Sequence, residues 1–332
     1  MLYDSFKNYI RNSFTELMGP DVPIQIHSVL KNNNVHLDAL TILPKGESIS
    51  PSIYLNDYYS RYQNGASLNS IIREITEVYE TSRNQFRINT DDIMNFNCAR
   101  NLVAYKLINY DANSELLKTI PHIRYLDLAI IFYLLLERNG YAGATAIITN
   151  EHMEMWQTDT DTLYALAVYN TPRMLDISFT TLESMMREMI MEDLRYHASF
   201  YKELEKISDE GMLTEETISL MADDIMDQYT ADSGQSDMFV LTNTSRSNGA
   251  AVILYENALV QAADRIGSSF YILPSSIHEM ILLPAKEDDP FTVENLEEMV
   301  REINLHDVAA TEKLSDTIYF YDAESRTVSM LV

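Results

Sequence analysis

The chain has 332 residues and a formal net charge of −26, from 24 Lys and Arg against 50 Asp and Glu. A field of that sign opposes approach to phosphate backbones and to anionic lipid surfaces, so it argues against direct nucleic-acid or membrane binding. The length suits about two or three domains, and a single cysteine, Cys98, excludes an internal disulfide framework.

The N-terminal region, residues 1–90, predicts a small α+β unit of a helix, three strands and a second helix. The predicted elements are a helix over 3–18, strands over 22–30, 35–43 and 52–55, and a helix that begins after Ser67. The first helix stops at Gly19-Pro20, and Asn32-Asn33-Asn34 forms the hairpin turn because Asn tolerates positive φ. Similar layouts occur in small acidic secretion chaperones, an analogy of fold alone.

The middle region, residues 91–232, predicts mixed strands followed by a Met-rich helical segment. The predicted elements are strands over 101–110, 125–136 and 144–149, a helix that begins at Thr158 or Asp159 and ends at Asn170-Thr171-Pro172, and several helices over 178–230. The apolar run 125–136 fits a strand buried on both faces or a short helix, and the strand is favoured. Met is common at promiscuous binding surfaces, although core packing gives the same spacing. The acidic segment 227–237 is the predicted linker.

The C-terminal region, residues 233–332, predicts a further α+β unit. Its elements are strands over 239–242 and 250–255, a helix from Glu256 to Gly267, two strands within 270–284, a helix capped by Thr292, and a hairpin of 317–321 with 327–331. Strands and helices alternate without a regular βα repeat. The predicted fold class is therefore α+β with mainly antiparallel sheets.

Two polar corners, each just after an apolar strand, hold most of the candidate site residues, and Asn170 and Asn243 lie outside them. The candidate binding residues are Asn150, His152, Trp156, Asn170, Asn243 and Ser275, and the candidate catalytic residues are Ser276, His278 and Glu279. Ser276 and His278 lie two apart on one strand face, so a nucleophilic Ser–His pair is geometrically allowed. The alternative is a strand corner whose hydroxyls bond the backbone. The likeness of 144–156 to 270–283 also fits a duplicated subdomain.

The known metal, phosphate and thiol motifs have weak or no support in this sequence. His278-Glu279 begins like a zinc-protease helix, but the second His would stand at position 282, which is Leu282. His152 with its acidic neighbours could ligate a metal, yet no paired ligand spacing occurs elsewhere. No Gly-rich phosphate loop is present. We therefore predict no metal and no cofactor.

Three further residues have both a structural and a catalytic interpretation. Asp159 and Asp161 are similar to the paired aspartates of phosphatases, but they open a helix, where an acid favours the dipole. Cys98 fits a small buried apolar residue, or a thiol nucleophile if a His or a helix N-terminus lies near it. The lone cysteine and the lack of a leader-like N-terminus predict a cytoplasmic protein.

Five segments carry a resemblance to a known family. They are 27–35 (HSVLKNNNV), 50–56 (SPSIYLN), 148–156 (ITNEHMEMW), 169–172 (YNTP) and 273–279 (LPSSIHE). They resemble a bacterial family catalogued as domain of unknown function 5688, over most of the chain and least around 192–235. The resemblance implies a gene of gut-dwelling bacteria, often near mobile-element genes. It carries over no catalytic or binding residue.

The leading hypothesis is a non-enzymatic cytoplasmic interaction or regulatory protein, linked to a mobile element, whose partner is another protein. It follows from the missing cofactor motifs, the Met-rich helices and the acidic surface. One alternative is an enzyme of unrecognised type whose site combines the His152 and His278 corners. Another is an acidic secretion-type chaperone. The sequence leaves the oligomeric state open.

Overall fold

The computed structural model describes residues 1–45, 50–85, 93–136, 145–205, 214–233, 237–274, 276–286 and 292–331. The chain forms two compact units: Met1–Met174 with Ala309–Lys313, and Leu175–Val308 with Leu314–Val332. Both contain helices and antiparallel sheets, which confirms the α+β prediction. The predicted division into 1–90, 91–232 and 233–332 differs from these two units. Within the described ranges, no helix is both long and apolar enough to cross a membrane.

The first unit begins with the predicted helix and three-stranded sheet. Its elements are α1 Tyr3–Met18, β1 Ile24–Leu30, β2 His36–Ile42, β3 Ile53–Tyr54, α2 Leu55–Gln63 and α3 Leu68–Gln85. Phe6, Ile10 and Phe14 share one face of α1 and pack with Ile71 and Ile75 of α3, each burial contributing about 1.5–3 kcal/mol. Helix α2 was not predicted: it is a Tyr-rich segment, and Tyr favours strands by propensity.

The Asn-rich turn ties distant parts of the first unit together. Asn33 has φ 59° and Asn34 φ 55°, as predicted for a turn of this composition. The Asn33 side chain donates hydrogen bonds to the carbonyl oxygens of Ala310 (2.9 Å) and Lys313 (2.7 Å). Its backbone N–H donates to Oδ1 of the fully buried Asn113 at 2.7 Å. The turn therefore fixes both the hairpin and a late segment of the chain.

The second sheet of the first unit is centred on one strand. Its elements are α4 Phe96–Ala99, β4 Val103–Asn109, β5 His122–Tyr125, β6 Leu128–Leu135, β7 Thr145–Ile147, α5 Asn150–Trp156 and α6 Thr160–Met174. Strand β4 lies on one side of β6, and β5 and β7 share the other side. Every residue of β6 is buried, which confirms a strand covered on both faces. The predicted strand 125–136 is wrong at its start, because Leu126 has φ 56° and turns the chain between β5 and β6.

Helix α6 continues beyond its predicted end. Pro172 lies inside it, and the helix runs to Met174. A proline lacks the backbone N–H that a helix residue donates, and here the Thr171 side chain holds this part of the helix to β4. Thr171 Oγ1 donates to the Ala167 carbonyl at 2.6 Å and accepts the Tyr105 N–H at 3.2 Å. This support against β4 explains why the prediction of an end at 170–172 is wrong.

The second unit is built on a six-stranded antiparallel sheet in the order β13-β12-β10-β11-β9-β8. Its elements are β8 Ile177–Thr181, α7 Leu182–Glu205, α8 Glu215–Ser233, β9 Phe239–Asn243, α9 Ala258–Ile266, β10 Phe270–Leu273, β11 Met280–Pro284, α10 Val293–His306, β12 Tyr319–Asp322 and β13 Thr327–Met330. Helix α10 packs Leu296 and Val300 against Leu273 and Leu283 of the sheet. The predicted strands flanking the corner, the helix after Thr292 and the final hairpin are confirmed.

Three predictions for the second unit are wrong. Residues 177–181 form strand β8 rather than a helix, because they pair with β9 along their whole length. Helix α8 extends to Ser233, so the first part of the predicted linker 227–237 is helical. Residues 250–255, predicted as a strand, belong largely to a buried 3₁₀ helix, Gly249–Leu254, whose Ala250 N–H donates to the Ile277 carbonyl at 3.2 Å. The first and third errors arise from tertiary contacts that override local pattern.

Candidate functional site

The two predicted corners belong to different compact units. His152 lies in the first unit and His278 in the second. Ser275 lies outside the described residues. A single pocket that combines both corners stays a prediction.

His152 closes the N-terminus of helix α5. Its Nδ1 accepts the backbone N–H of Thr149 at 3.0 Å, and Thr149 Oγ1 accepts the His152 N–H at 3.3 Å. This is a capping box, in which an imidazole replaces the usual Glu or Gln. The neutral imidazole is the form that accepts at Nδ1, so its other nitrogen carries the proton.

Aromatic packing fixes the face of the His152 ring. The ring stacks on Trp156, with centroids 5.3 Å apart and planes at 29°. Trp156 is buried, and its Nε1–H donates to the Ile93 carbonyl at 3.0 Å. Burial lowers the pKa of His152, and the Glu151 carboxylate partly opposes that shift. The corner therefore holds a neutral imidazole against an indole.

The two Asn residues predicted for this unit bond the backbone. Asn150 Nδ2 donates to the Lys118 carbonyl at 3.1 Å. Asn170 Nδ2 donates to the carbonyls of Arg100 (2.8 Å) and Val103 (3.1 Å). Both side chains thus hold helices α5 and α6 to the chain around the sheet. These contacts are structural.

The second corner connects β10 to β11 around Ser276 and His278. Ser276 Oγ accepts the His278 backbone N–H at 2.9 Å. The His278 carbonyl accepts from Thr242 Oγ1 at 2.7 Å, and its Nδ1 accepts the Asn248 N–H at 3.3 Å. Ser276 is only 6% exposed. The Ser276 hydroxyl therefore binds backbone at this corner, as in the structural interpretation of the motif.

The turn after β9 presses directly against this corner. A Cβ on Gly249 would lie 2.0 Å from Thr242 Oγ1 and 2.4 Å from the His278 carbonyl oxygen, so only glycine fits. Asn243 is 1% exposed. Its side chain donates to the Ser247 carbonyl at 2.9 Å and accepts the Ser245 N–H at 3.0 Å. The predicted binding residue Asn243 thus shapes the turn that supports His278.

Among the remaining candidate residues, Asp159 caps a helix, and Cys98 and Glu279 have no assigned chemical role. Asp159 Oδ1 accepts the Thr162 N–H at 2.8 Å, which confirms the capping interpretation, and hydrogen bonds from Thr162 lower the pKa of this carboxyl. Cys98 is a free thiol, partly buried in α4. Glu279 is partly buried beside His278, and a catalytic role for Ser276, His278 and Glu279 stays a prediction. The described residues contain no group of three or more His, Cys, Asp or Glu that could hold a metal ion.

Two features with functional potential were not predicted as sites from the sequence: Lys106 and the paired helices α7 and α8. Lys106 lies within strand β4, where burial lowers its pKa to about 8. The only signal in the sequence is a lysine inside an apolar strand, which does not show whether a carboxylate is near. Helices α7 and α8 pair as an arm with exposed apolar residues, and the Met content of this region is the signal that was noted.

Comparison with known proteins gives one match. No curated protein and no solved structure matches the chain. The sequence model of DUF5688, described as a family of unknown function, matches residues 3–323. That span is nearly the whole chain and confirms the resemblance found in the sequence. The chain therefore belongs to the DUF5688 family.

Proposed function

We propose that this protein is a non-enzymatic cytoplasmic interaction or regulatory protein whose partner is another protein. The observation that carries the proposal is the two-helix arm, formed by α7 (Leu182–Glu205) and α8 (Glu215–Ser233). Arg187 pairs with Asp223 at 2.6 Å and Arg195 with Glu215 at 2.7 Å. Since residue numbers rise along one helix as they fall along the other, the helices are antiparallel.

The arm exposes apolar side chains that its own pairing does not bury. Met189 is 56% exposed, Leu220 61% and Met221 37%. Along α8, the buried side chains are Ile218, Ala222 and Met226. Clustered exposed apolar side chains mark protein interaction sites, and Met adapts its shape to a partner. One face of the arm is therefore buried and stabilises the fold, and the exposed face is available to a protein partner.

The acidic character of the arm indicates the charge of the partner surface that would bind it. Helix α8 contains six acidic residues and no Lys, Arg or His: Glu215, Glu216, Asp223, Asp224, Asp227 and Asp232. A complementary surface carries apolar side chains surrounded by Lys and Arg. We propose a basic, amphipathic protein segment as the occupant. A bacterial source and service to a mobile element rest on the family resemblance alone.

The enzyme alternative has weaker support. The imidazoles of His152 and His278 each accept a backbone N–H inside their own corner. The secretion-type chaperone alternative would put the docking surface on the first unit, so mapping the surface separates it from docking on the arm.

Photo-cross-linking in cells tests the docking surface. A photoreactive amino acid replaces Met189 or Leu220 on the arm, or Leu305 on α10, a control position that is 73% exposed in the same unit. The proposal predicts one protein cross-linked from positions 189 and 220 and not from 305, through a peptide rich in Lys and Arg. Absence of a protein adduct from the arm, or the same adducts from position 305, overturns it.

A further inference from the structure

Lys106 lies in the middle of β4 on a sheet face that carries an apolar cluster. It is opposite Ile131 of β6, and Ile108 shares its face because side chains alternate along a strand. Ile108 is 1% and Ile131 0% exposed, and both belong to one core cluster. Lys106 itself is partly exposed. An ammonium group is costly in such surroundings unless an acid pairs with it.

A second amine lies near Lys106: Leu30, next to Lys31 in the chain, packs against the same apolar cluster, and the charge of Lys31 acts on Lys106. Lys31 follows β1, and its Nζ donates to Tyr54 Oη at 3.0 Å and lies 4.6 Å from the centre of that ring. Lys106 Nζ lies 5.8 Å from the centre of the Tyr133 ring. Among the residues that the structure describes, no carboxylate forms an ion pair with either lysine. In a chain with 50 acidic residues, this pair of amines is electrostatically unusual.

The surroundings favour the neutral amine. Burial, and secondly the positive charge of Lys31, lower the pKa of Lys106 from 10.5 to about 8. Desolvation and a neighbouring cation are the two ways in which proteins activate a lysine as a nucleophile. The neutral form carries the lone pair that attacks a carbonyl carbon. Lys106 therefore has the environment of a reactive lysine.

The other ionisable groups on this face do not reverse the effect. His122 of β5 is opposite Ile131, and Arg124 is opposite Ala129. Neither an imidazole nor a guanidinium carries a negative charge, so neither group stabilises a charged Lys106. Burial raises the pKa of Tyr133, so its phenol stays neutral near physiological pH.

We propose that Lys106 is a reactive amine that binds a small aldehyde or ketone as an imine, with its apolar surroundings and the charge of Lys31 both disfavouring the ammonium form. The Nζ lone pair forms a C–N bond to the carbonyl carbon while the π electrons of the C=O bond move to oxygen. The two Nζ hydrogens leave with that oxygen as water, and a C=N bond results. The reaction uses no oxidant or reductant. It is reversible binding rather than turnover, and it does not depend on docking at the arm.

Reductive trapping on the full chain tests the site. The protein is incubated with glyoxylate and sodium cyanoborohydride at about pH 7.5, and peptide mass spectrometry measures the labelling rate of each lysine. The exposed Lys118 of the same unit is the reference. A pKa lowered to about 8 raises the neutral fraction by roughly two orders of magnitude, and weaker nucleophilicity removes about one. We expect Lys106 to react about ten-fold faster than Lys118; equal or slower labelling overturns the proposal.

Two matched variants separate reactivity from simple access. Lys31→Met removes the neighbouring charge, so labelling of Lys106 at about pH 7.5 falls several-fold and its pH profile moves to higher pH. Lys118→Met leaves the Lys106 rate unchanged. If Lys31→Met keeps the circular dichroism spectrum and the Lys106 rate of the wild type, the role of Lys31 is wrong. If Lys31→Met changes the labelling rate of Lys106 by the same factor at every pH, access to Lys106 rather than the charge of Lys31 controls that rate. The role proposed for Lys31 is then also wrong.

Discussion

At the ends of helices and strands in this protein, Asn, Ser and His side chains form hydrogen bonds with backbone N–H and C=O groups. Asn243 and Asn170 bond carbonyl oxygens of neighbouring segments. His152 takes the place that Glu or Gln fills in most capping boxes. Such contacts stabilise local geometry by about 0.5–1.5 kcal/mol each. Substitutions at these residues are therefore expected to act first on stability.

Gly249 provides a direct test of the close packing at the second corner. We expect Gly249→Ala to lower the free energy of unfolding by about 1–3 kcal/mol, because the new Cβ meets the His278 carbonyl and Thr242 Oγ1. Gly267→Ala is the control: its Cβ meets no atom within 4 Å, and only its φ of 84° opposes the change. Chemical denaturation measures both. A smaller loss for Gly249→Ala than for Gly267→Ala would contradict the account.

His152 makes stability depend on pH in a defined direction. Its pKa is lowered in the folded state, so the unfolded chain binds the proton more tightly. The stability gained from the neutral imidazole is present above about pH 6.5 and is lost as pH falls through the folded pKa. His152→Gln keeps a capping acceptor and removes the titration. We expect urea unfolding from about pH 7.5 to 5 to show a steeper loss for the wild type than for the variant; parallel curves would show that His152 does not contribute.

At the scale of elements, the arm is stabilised by its buried apolar face rather than by its ion pairs. The Arg195–Glu215 pair is 43% and 70% exposed, and exposed pairs contribute little. Ile218 is 3% exposed. Arg187 and its partner Asp223 are similarly open to solvent.

Two substitutions in the arm measure this difference. We expect Ile218→Ala to destabilise the protein by about 2–4 kcal/mol, through lost burial and a residual cavity. Arg195→Gln is expected to cost less than about 1 kcal/mol. Helicity followed by circular dichroism during thermal unfolding gives both values. A larger effect from Arg195→Gln would mean that charge, not burial, stabilises the pair.

Periodic elements were predictable from sequence, and those fixed by distant contacts were not. The apolar spacing over α1 and α3 and the short apolar runs of β10 and β11 gave correct elements, because burial decides both pattern and structure. Strand β8 and the 3₁₀ helix at Gly249 depend on pairing with β9 and the His278 corner. The turn at Leu126 has a positive φ that no Leu prefers. The sequence identified the polar residues at the two corners, but it did not identify the backbone groups with which they form hydrogen bonds.

At the scale of the whole molecule, charge and exposure are arranged unevenly. The chain carries −26, and the arm adds exposed Met and Leu side chains to an acidic helix. On the first unit, Lys31 and Lys106 lie together without an acidic ion-pair partner among the described residues. The sequence showed the net charge but not this distribution, since neither the antiparallel pairing of the arm nor the approach of the two lysines is local in the chain.

The dissociation constant of the cross-linked partner is the most direct test of the account. Calorimetry compares the wild type with Leu220→Gln and with the control Leu305→Gln, both of which replace an exposed leucine on a helix of the same unit. We expect Leu220→Gln to weaken binding about ten-fold, since a well-packed apolar contact is worth about 1–3 kcal/mol, and Leu305→Gln to change it less than about two-fold. Equal effects of the two substitutions, or no effect of Leu220→Gln, would contradict docking on the arm.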